Sequence, residues 1–221
     1  MTGMAADRTL PWDWHPGRVP DNVAIAATAY VETTFSFLLF RSEQANAFCL
    51  PGGKIAVYTG ILKYTQTDAG LAAVMGHEMA HAVARHGSQR ILQNDVTQTV
   101  MTGASLSFSE MDWNQRRMVL AALGAGAQFG VLLPFSRKHE SEADELGLIY
   151  MARAGYDPAE AIAFWQRMAE AGESQPPEFA STHPSHGTRI DHLRQLLPQA
   201  QVEYEKDTSA QTTSRLSPPK N

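Results

Sequence analysis

The sequence predicts an α+β fold that is mainly helical, with one small antiparallel sheet. Three observations carry this expectation. The chain has 221 residues, 43% hydrophobic and 19% charged. That is globular composition, with length enough to bury a sizeable core without staples. Two β-branched or aromatic runs, residues 33–40 (TTFSFLLF) and 54–59 (KIAVYT), read as strands. From Asp68 onward the apolar residues recur at helical rather than alternating spacing.

The elements follow in order. Residues 1–30 are an irregular lead-in. A domain is expected over 31–200. After the first strand, residues 46–51 lead into Gly52–Gly53, a turn signal before the second strand. Thr67 or Asp68 caps a helix with Leu71, Val74, Met75 and Ala82 among its apolar positions, running to about His86 with Gly87 as its stop. Helical stretches follow over 88–103 and over 112–133, the latter closed by Pro134. Another runs over 136–154 and ends at Gly155. Asp157 and Pro158 open the next, to about Ala171. Residues 173–187 read as a loop, and 188–197 as a short helix ended by Pro198. The polar stretch 201–221 reads as a disordered tail.

Charge narrows the function. Eighteen basic and 23 acidic residues give a net charge of −5, which argues against a nucleic-acid binder needing a basic face. One cysteine, Cys49, forbids an intrachain disulfide. No basic segment followed by an apolar one opens the chain, so no signal peptide is expected. Residues 118–135 (MVLAALGAGAQFGVLLPF) carry no charge. They are expected to form a buried or membrane-touching helix rather than a true span, because they hold three glycines, Gln128 and a terminal proline.

The sharpest chemical signal is His77-Glu78-Met79-Ala80-His81. On a helix, positions i and i+4 share a face, so both imidazoles reach one metal ion while Glu78 addresses a metal-bound water. Zinc suits nitrogen and oxygen donors in an open tetrahedral site, and Glu78 then serves as general base. A third ligand is needed. In 136–147 (SRKHESEADELG), Glu140, Ala143, Asp144 and Gly147 share a face, and the two small residues allow another helix to approach closely. Glu142 lies roughly 200° around from Glu140. Glu140 is therefore the expected third ligand, with Asp144 bonding the far nitrogen of a ligand imidazole. His139 is the rival ligand. In the late loop, His183 before a proline and Arg189 at a helix start are candidates to stabilise a tetrahedral oxyanion.

Taken in order, NAFCLPGGKIAVYTGIL (46–62), AAVMGHEMAHAVARHG (72–87), SRKHESEADELGLIYMARAGYDP (136–158) and STHPSHGTRI (181–190) resemble one family. It is the zinc metallopeptidase family that contains HtpX, the type 1 CAAX prenyl endopeptidase and the bacterial envelope proteases BepA and LoiP. The similarity covers about 45–200 and is nearest to the soluble envelope branch. It implies a gluzincin-type fold and endopeptidase activity, with one Zn2+ per chain on His77, His81 and Glu140. Glu78 is then the base, and Asp144 supports a ligand. His183 guards or occupies the fourth metal position, and Arg189 contacts the carbonyl or transition state. The strand Gly53, Lys54, Ile55, Ala56, Val57 is expected as the edge that receives extended substrate. The resemblance further implies misfolded envelope proteins as substrates and a cell-envelope location, periplasmic or membrane-associated, with membrane-surface contact through 118–135. The rival function is a chaperone-like or substrate-binding module with the same fold and metal but little proteolysis.

Overall fold

The computed structural model describes residues 35–50, 52–171, 179–180, 183 and 186–216. The lead-in over 1–30 and the loop residues Ser181, Thr182, Pro184 and Ser185 lie outside these. Three strands come first: β1 (Ser36–Phe40), β2 (Ala47–Leu50) and β3 (Lys54–Tyr58). Seven helices follow among the described residues: α1 (Leu62–Thr65), α2 (Asp68–Val83), α3 (His86–Ser107), α4 (Trp113–Ala127), α5 (Leu133–Arg153), α6 (Ala159–Ala171) and α7 (His186–Leu216).

The sheet is mixed, not antiparallel. Its order is β1-β3-β2, with β1 parallel and β2 antiparallel to β3. β2 is not expected from the sequence, where 46–51 reads only as a lead into the turn, because its four residues are too short to show alternation. Gly52 and Gly53, at φ +89° and +77°, close the β2–β3 hairpin in a backbone region other residues resist. The segment from β1 crosses the end of β3. There Thr59 Oγ1 accepts from Ser42 N–H and donates to Ser42 C=O, both at 2.9 Å. β3 thus fills the centre, and its Ile55, Ala56 and Val57 are buried, as a two-sided strand requires.

α2 is the axis of the molecule. Thr67 caps it, its hydroxyl accepting from Gly70 N–H at 2.9 Å. Every residue from Gly70 to Ala80 is buried, so this helix is enclosed on all sides. Leu71, Met75 and Met79 are almost wholly removed from water, each worth about 1.5–3 kcal/mol. α2 packs on β2, α5 and α6, and α5 in turn on α7. The α2–α5 crossing is close because it is glycine on glycine. A Cβ on Gly76 would lie 2.6 Å from the Gly147 carbonyl oxygen, and one on Gly147 would lie 2.7 Å from His77 N. Backbone cannot yield there as a side chain can, so this pair fixes the distance between the two helices.

Several helix ends differ from expectation. α2 stops at Val83, and Arg85, not Gly87, takes the left-handed conformation at φ 57°. Gly87 instead lies in the first turn of α3. Pro134 does not terminate a helix. A π turn, Gln128–Leu132, shifts the hydrogen-bond register immediately before Pro134, and the helix carries on through the proline into α5. The helical path is therefore continuous over Trp113–Arg153. α7 likewise runs through Pro198 to Leu216, so 201–216 is helical and not the disordered tail expected. Gly155, at φ +81°, and the Asp157 cap on Ala159 N–H at 2.9 Å agree with the sequence reading.

α3 and α4 form a hairpin outside this core. No residue of α4 or the π turn is buried, so 118–132 of the uncharged window lies at the surface rather than in the interior. Ile91, Leu92, Val96, Val100, Leu123 and Phe129 are exposed on the arm. Arg116 ties its two helices together through Ser105 C=O at 2.8 Å and Ser105 Oγ at 2.7 Å.

Candidate metal centre

Helix geometry brings the first two donors together. His77 and His81, one turn apart on α2, place their Nε2 atoms 3.1 Å from each other. The glycine crossing delivers α5 beside them. Glu140 Oε2 lies 3.4 Å from His77 Nε2, and Glu140 Oε1 lies 3.6 Å from His81 Nε2. His183 joins from the loop before α7, its Nδ1 3.1 Å from His77 Nε2 and 2.9 Å from Glu140 Oε2. One donor atom from each of His77, His81, Glu140 and His183 falls within 4.8 Å of all the others. Glu142 is outside this cluster and half-exposed. His139 is outside it too. It is buried, stacks on His86 with centroids 4.1 Å apart, and has Nε2 3.0 Å from Gln89 Oε1.

The surroundings favour a cation. Glu78, Glu140 and Asp144 are all buried, and Arg189 is the guanidinium among them. Burial works against charge on His77, but bonds to Asp144 and Glu140 outweigh it and push the imidazole up to about 9. The same carboxylates attract a metal ion. Burial would raise Glu140, but His183 and His77 together hold it far below the usual carboxylate range. It is an anion ready to ligate. Burial drives His81 well below its usual value, so this imidazole is neutral with a lone pair available. Asp144 Oδ1 is 3.0 Å from His77 Nδ1, the nitrogen facing away from the other donors.

Glu78 adjoins the cluster, its Oε1 3.3 Å from His183 Nε2. Burial raises its pKa against the pull of His183 and His77. A carboxylate so raised is a stronger base at neutral pH. The nearby Cys49 main chain on β2 works against that rise. Burial pushes the Cys49 thiol up to about 12, so it is no thiolate nucleophile.

Two expectations are corrected. Gly53, Lys54, Ile55, Ala56 and Val57 do not form an edge, because β3 is paired on both sides. The edge on the metal side is β2. Asn46 and Leu50 turn their carbonyls into the sheet, to Tyr58 N–H and Gly53 N–H. By alternation, Ala47 and Cys49 turn their main-chain groups outward. A cavity of about 350 Å³ lies against them, with Phe48, Glu78, His81, His86, Arg90 and His183 in its wall. Arg189 is not in that wall. It is buried behind Glu140, bonding Asp144 Oδ2 at 2.7 Å, Glu140 Oε2, and the His183 carbonyl at 3.0 Å, with its guanidinium 4.1 Å over the Trp165 ring. With these donors engaged it is a brace for Glu140 and the His183 loop, not a group facing a substrate carbonyl. β2 and His86 are not singled out by the sequence: four residues show no alternation, and a histidine near a helix end has no ligand spacing.

Such a donor set, with a buried carboxylate beside it, defines the metallopeptidase class, and the sequence agrees. The chain belongs to Peptidase family M48, which it matches over residues 18–197. It is similar to the mitochondrial metalloendopeptidase OMA1 of Schizosaccharomyces pombe, 39% identical over 206 residues, 90% of this chain and 58% of that protein. The Arabidopsis thaliana protein of the same name is 37% identical over 199 residues, 89% of this chain and 38% of its own length. The β-barrel assembly-enhancing protease of Yersinia pestis is 30% identical over 178 residues, 78% of this chain and 36% of that protein. The chain thus spans well under two thirds of the length of these relatives.

Proposed function

We propose that this chain is a zinc-dependent metalloendopeptidase that hydrolyses protein or peptide segments laid along β2. One observation carries the reading: three donors from two helices stand at coordination spacing beside a buried base. Zinc–nitrogen bonds of about 2.0–2.1 Å put tetrahedral donors roughly 3.3 Å apart. The His77–His81, His77–Glu140 and His81–Glu140 separations are 3.1, 3.4 and 3.6 Å. His77, His81 and Glu140 would hold one zinc ion per chain, which when bound supplies a Lewis acid and lowers the pKa of water.

The chain's own groups do the rest. Glu78 takes the proton of the attacking water and passes it to the leaving amine. Ala47 and Cys49 offer main-chain bonds to an extended substrate. Cys49 and Glu78 line the same cavity, so the strand that seats the substrate borders the base. Asp144 and Arg189 hold His77 and Glu140 in place. His183 stands at the fourth corner and touches Glu78. There it closes the site; displaced toward the substrate, its N–H can donate to the developing oxyanion. Turnover measured beside zinc content in His183→Ala reads which role dominates: a rise marks the guard, a fall the donor. No change in either returns His183 to an ordinary side chain.

The arm supports contact with a membrane surface, and the relative named for β-barrel assembly supports a place in the cell envelope. Its 118–135 carries no charge, and 118–132 has no residue packed into the core. Arg116 and Arg117 precede it, and Arg137 and Lys138 follow. Misfolded envelope proteins are the substrates this location offers.

The test is casein digestion by purified protein with and without a zinc chelator, alongside metal analysis. Chelator-sensitive cleavage with one zinc per chain is expected. Suppressed aggregation of a denatured client, with no cleavage and no effect of Glu78→Gln, would favour the chaperone-like alternative.

A further inference from the structure

We propose that His86 and Glu142 are positioning residues for the metal: they fix the tautomer and ring orientation of His81. The inference rests on the metal centre described above and concerns what stands behind one of its ligands.

A histidine that offers bare Nε2 to a metal carries its proton on Nδ1, and that N–H needs an acceptor. For His77 the group set against Nδ1 is a carboxylate, Asp144 Oδ1 at 3.0 Å. For His81 it is a third imidazole. His86 Nδ1 lies 3.0 Å from His81 Nδ1. Two ring nitrogens at that distance share one proton. If His81 Nδ1 donates, His86 Nδ1 is bare and His86 carries its own proton on Nε2. That nitrogen faces Glu142 Oε2 at 3.4 Å. The chain of donors therefore has one direction: His81 Nδ1–H to His86 Nδ1, then His86 Nε2–H to Glu142.

The fold is built to hold this order. His86 is only 3% exposed, although it begins a helix whose next residues are exposed. It reaches His81 because Arg85, a non-glycine residue, takes a left-handed turn at φ 57° between α2 and α3. Such a conformation is unfavourable for a residue with a Cβ and persists where surroundings require it. His139 stacks on the His86 ring with an interplanar angle of 16°, and the bond to Gln89 anchors His139 in turn. His86 thus has both its ring plane and its two nitrogens specified. The two metal histidines differ in consequence. His77 is backed directly by an anion. His81 is backed by a neutral ring, with the anion one residue further out and half-exposed.

Zinc affinity, measured by chelator competition on the intact chain, tests this. His86→Asn keeps an acceptor oxygen near the Nδ1 position, whereas His86→Leu keeps bulk and removes the acceptor. The expectation is a loss of about 10–100-fold in affinity for His86→Leu, within about threefold of the parent for His86→Asn, and a few-fold loss for Glu142→Gln. Equal losses in the Leu and Asn variants would mean that His86 acts by packing, and parental affinity in His86→Leu would mean that it does not act; either overturns the proposal. If His86→Leu does not fold, the 15N resonances of zinc-loaded parent protein decide. Protonated Nε2 and bare Nδ1 on His86 support the relay, and the opposite tautomer overturns it. A parent chain that binds no zinc would sink the metal centre itself, and the relay with it.

Discussion

The α2–α5 crossing and the α3–α4 arm are both helix pairs, yet their composition answers to opposite demands. At the crossing, Gly76 meets Gly147, and the buried groups beside it are ionisable: His77, Glu78, Glu140 and Asp144. Buried charge is costly unless paired or metal-bound. Its presence in the most enclosed helices of the chain is therefore evidence of chemistry. On the arm the mismatch is reversed. Leucine, valine and phenylalanine face outward, and α4 has no buried residue. Exposed apolar surface on this scale marks a partner or a lipid face, not a core. The misplaced residue types, polar inside and apolar outside, mark the two regions to which the proposed functions are assigned.

The comparison predicts that changes at the crossing abolish function while changes on the arm relocate it. The largest effect is expected for Glu140→Ala, which removes a ligand and leaves His77 and His81 without their shared anion. Zinc content measured by elemental analysis should fall to background. Glu142→Ala, two residues along the same helix, should still fill with zinc at saturating metal, showing only the few-fold loss of affinity expected behind His86. If the pair behaves the other way round, the register assigned to α5 is wrong.

Glu78→Gln comes next. The amide is nearly isosteric and cannot accept a proton, so zinc content and thermal stability should persist while peptide turnover falls about 10²–10⁴-fold. Turnover within twofold of the parent at saturating zinc would remove Glu78 from the mechanism. Asp144→Asn should be milder, about 10–100-fold in zinc affinity or activity. The amide still meets His77 but no longer carries charge, and it loses its ion pair with Arg189. Unchanged affinity and turnover would reduce Asp144 to a structural partner of Arg189.

The sequence made one of these regions far more legible than the other. Two histidines one turn apart, and Glu140, Asp144 and Gly147 on one face of a second helix, are local patterns that helical geometry converts directly into a site. The Thr67 cap and Gly155 stop are local as well. What stayed hidden depends on distant partners. β2 is four residues long and is defined by pairing with β3. The sheet is mixed because a segment crosses the end of β3, and no periodicity records that. Arg189 looked like a free cation at a helix start; only the fold shows Asp144, Glu140 and the His183 carbonyl consuming its donors. Pro134 and Pro198 looked like terminators. A π turn accommodates one, and helix continues through the other. The uncharged window at 118–135 was visible, but the absence of any burial over 118–132 was not.

The smallest effect on chemistry, and the sharpest test of the contrast, belongs to the arm. Phe129 and Leu123 are 70% and 43% exposed, so replacing both with serine removes little packing. Exposed substitutions of this kind usually change stability by no more than about 0.5 kcal/mol. Zinc content and turnover of a soluble peptide should therefore match the parent. Membrane association should not. Each large side chain withdrawn from an apolar phase forfeits about 1.5–3 kcal/mol, so the double change should weaken partitioning into anionic vesicles by at least tenfold in a flotation assay. Loss of zinc or of melting temperature in this variant would show that the arm is part of the core after all. Unaltered flotation, with peptide turnover intact, would show that the apolar face serves a protein partner and not lipid.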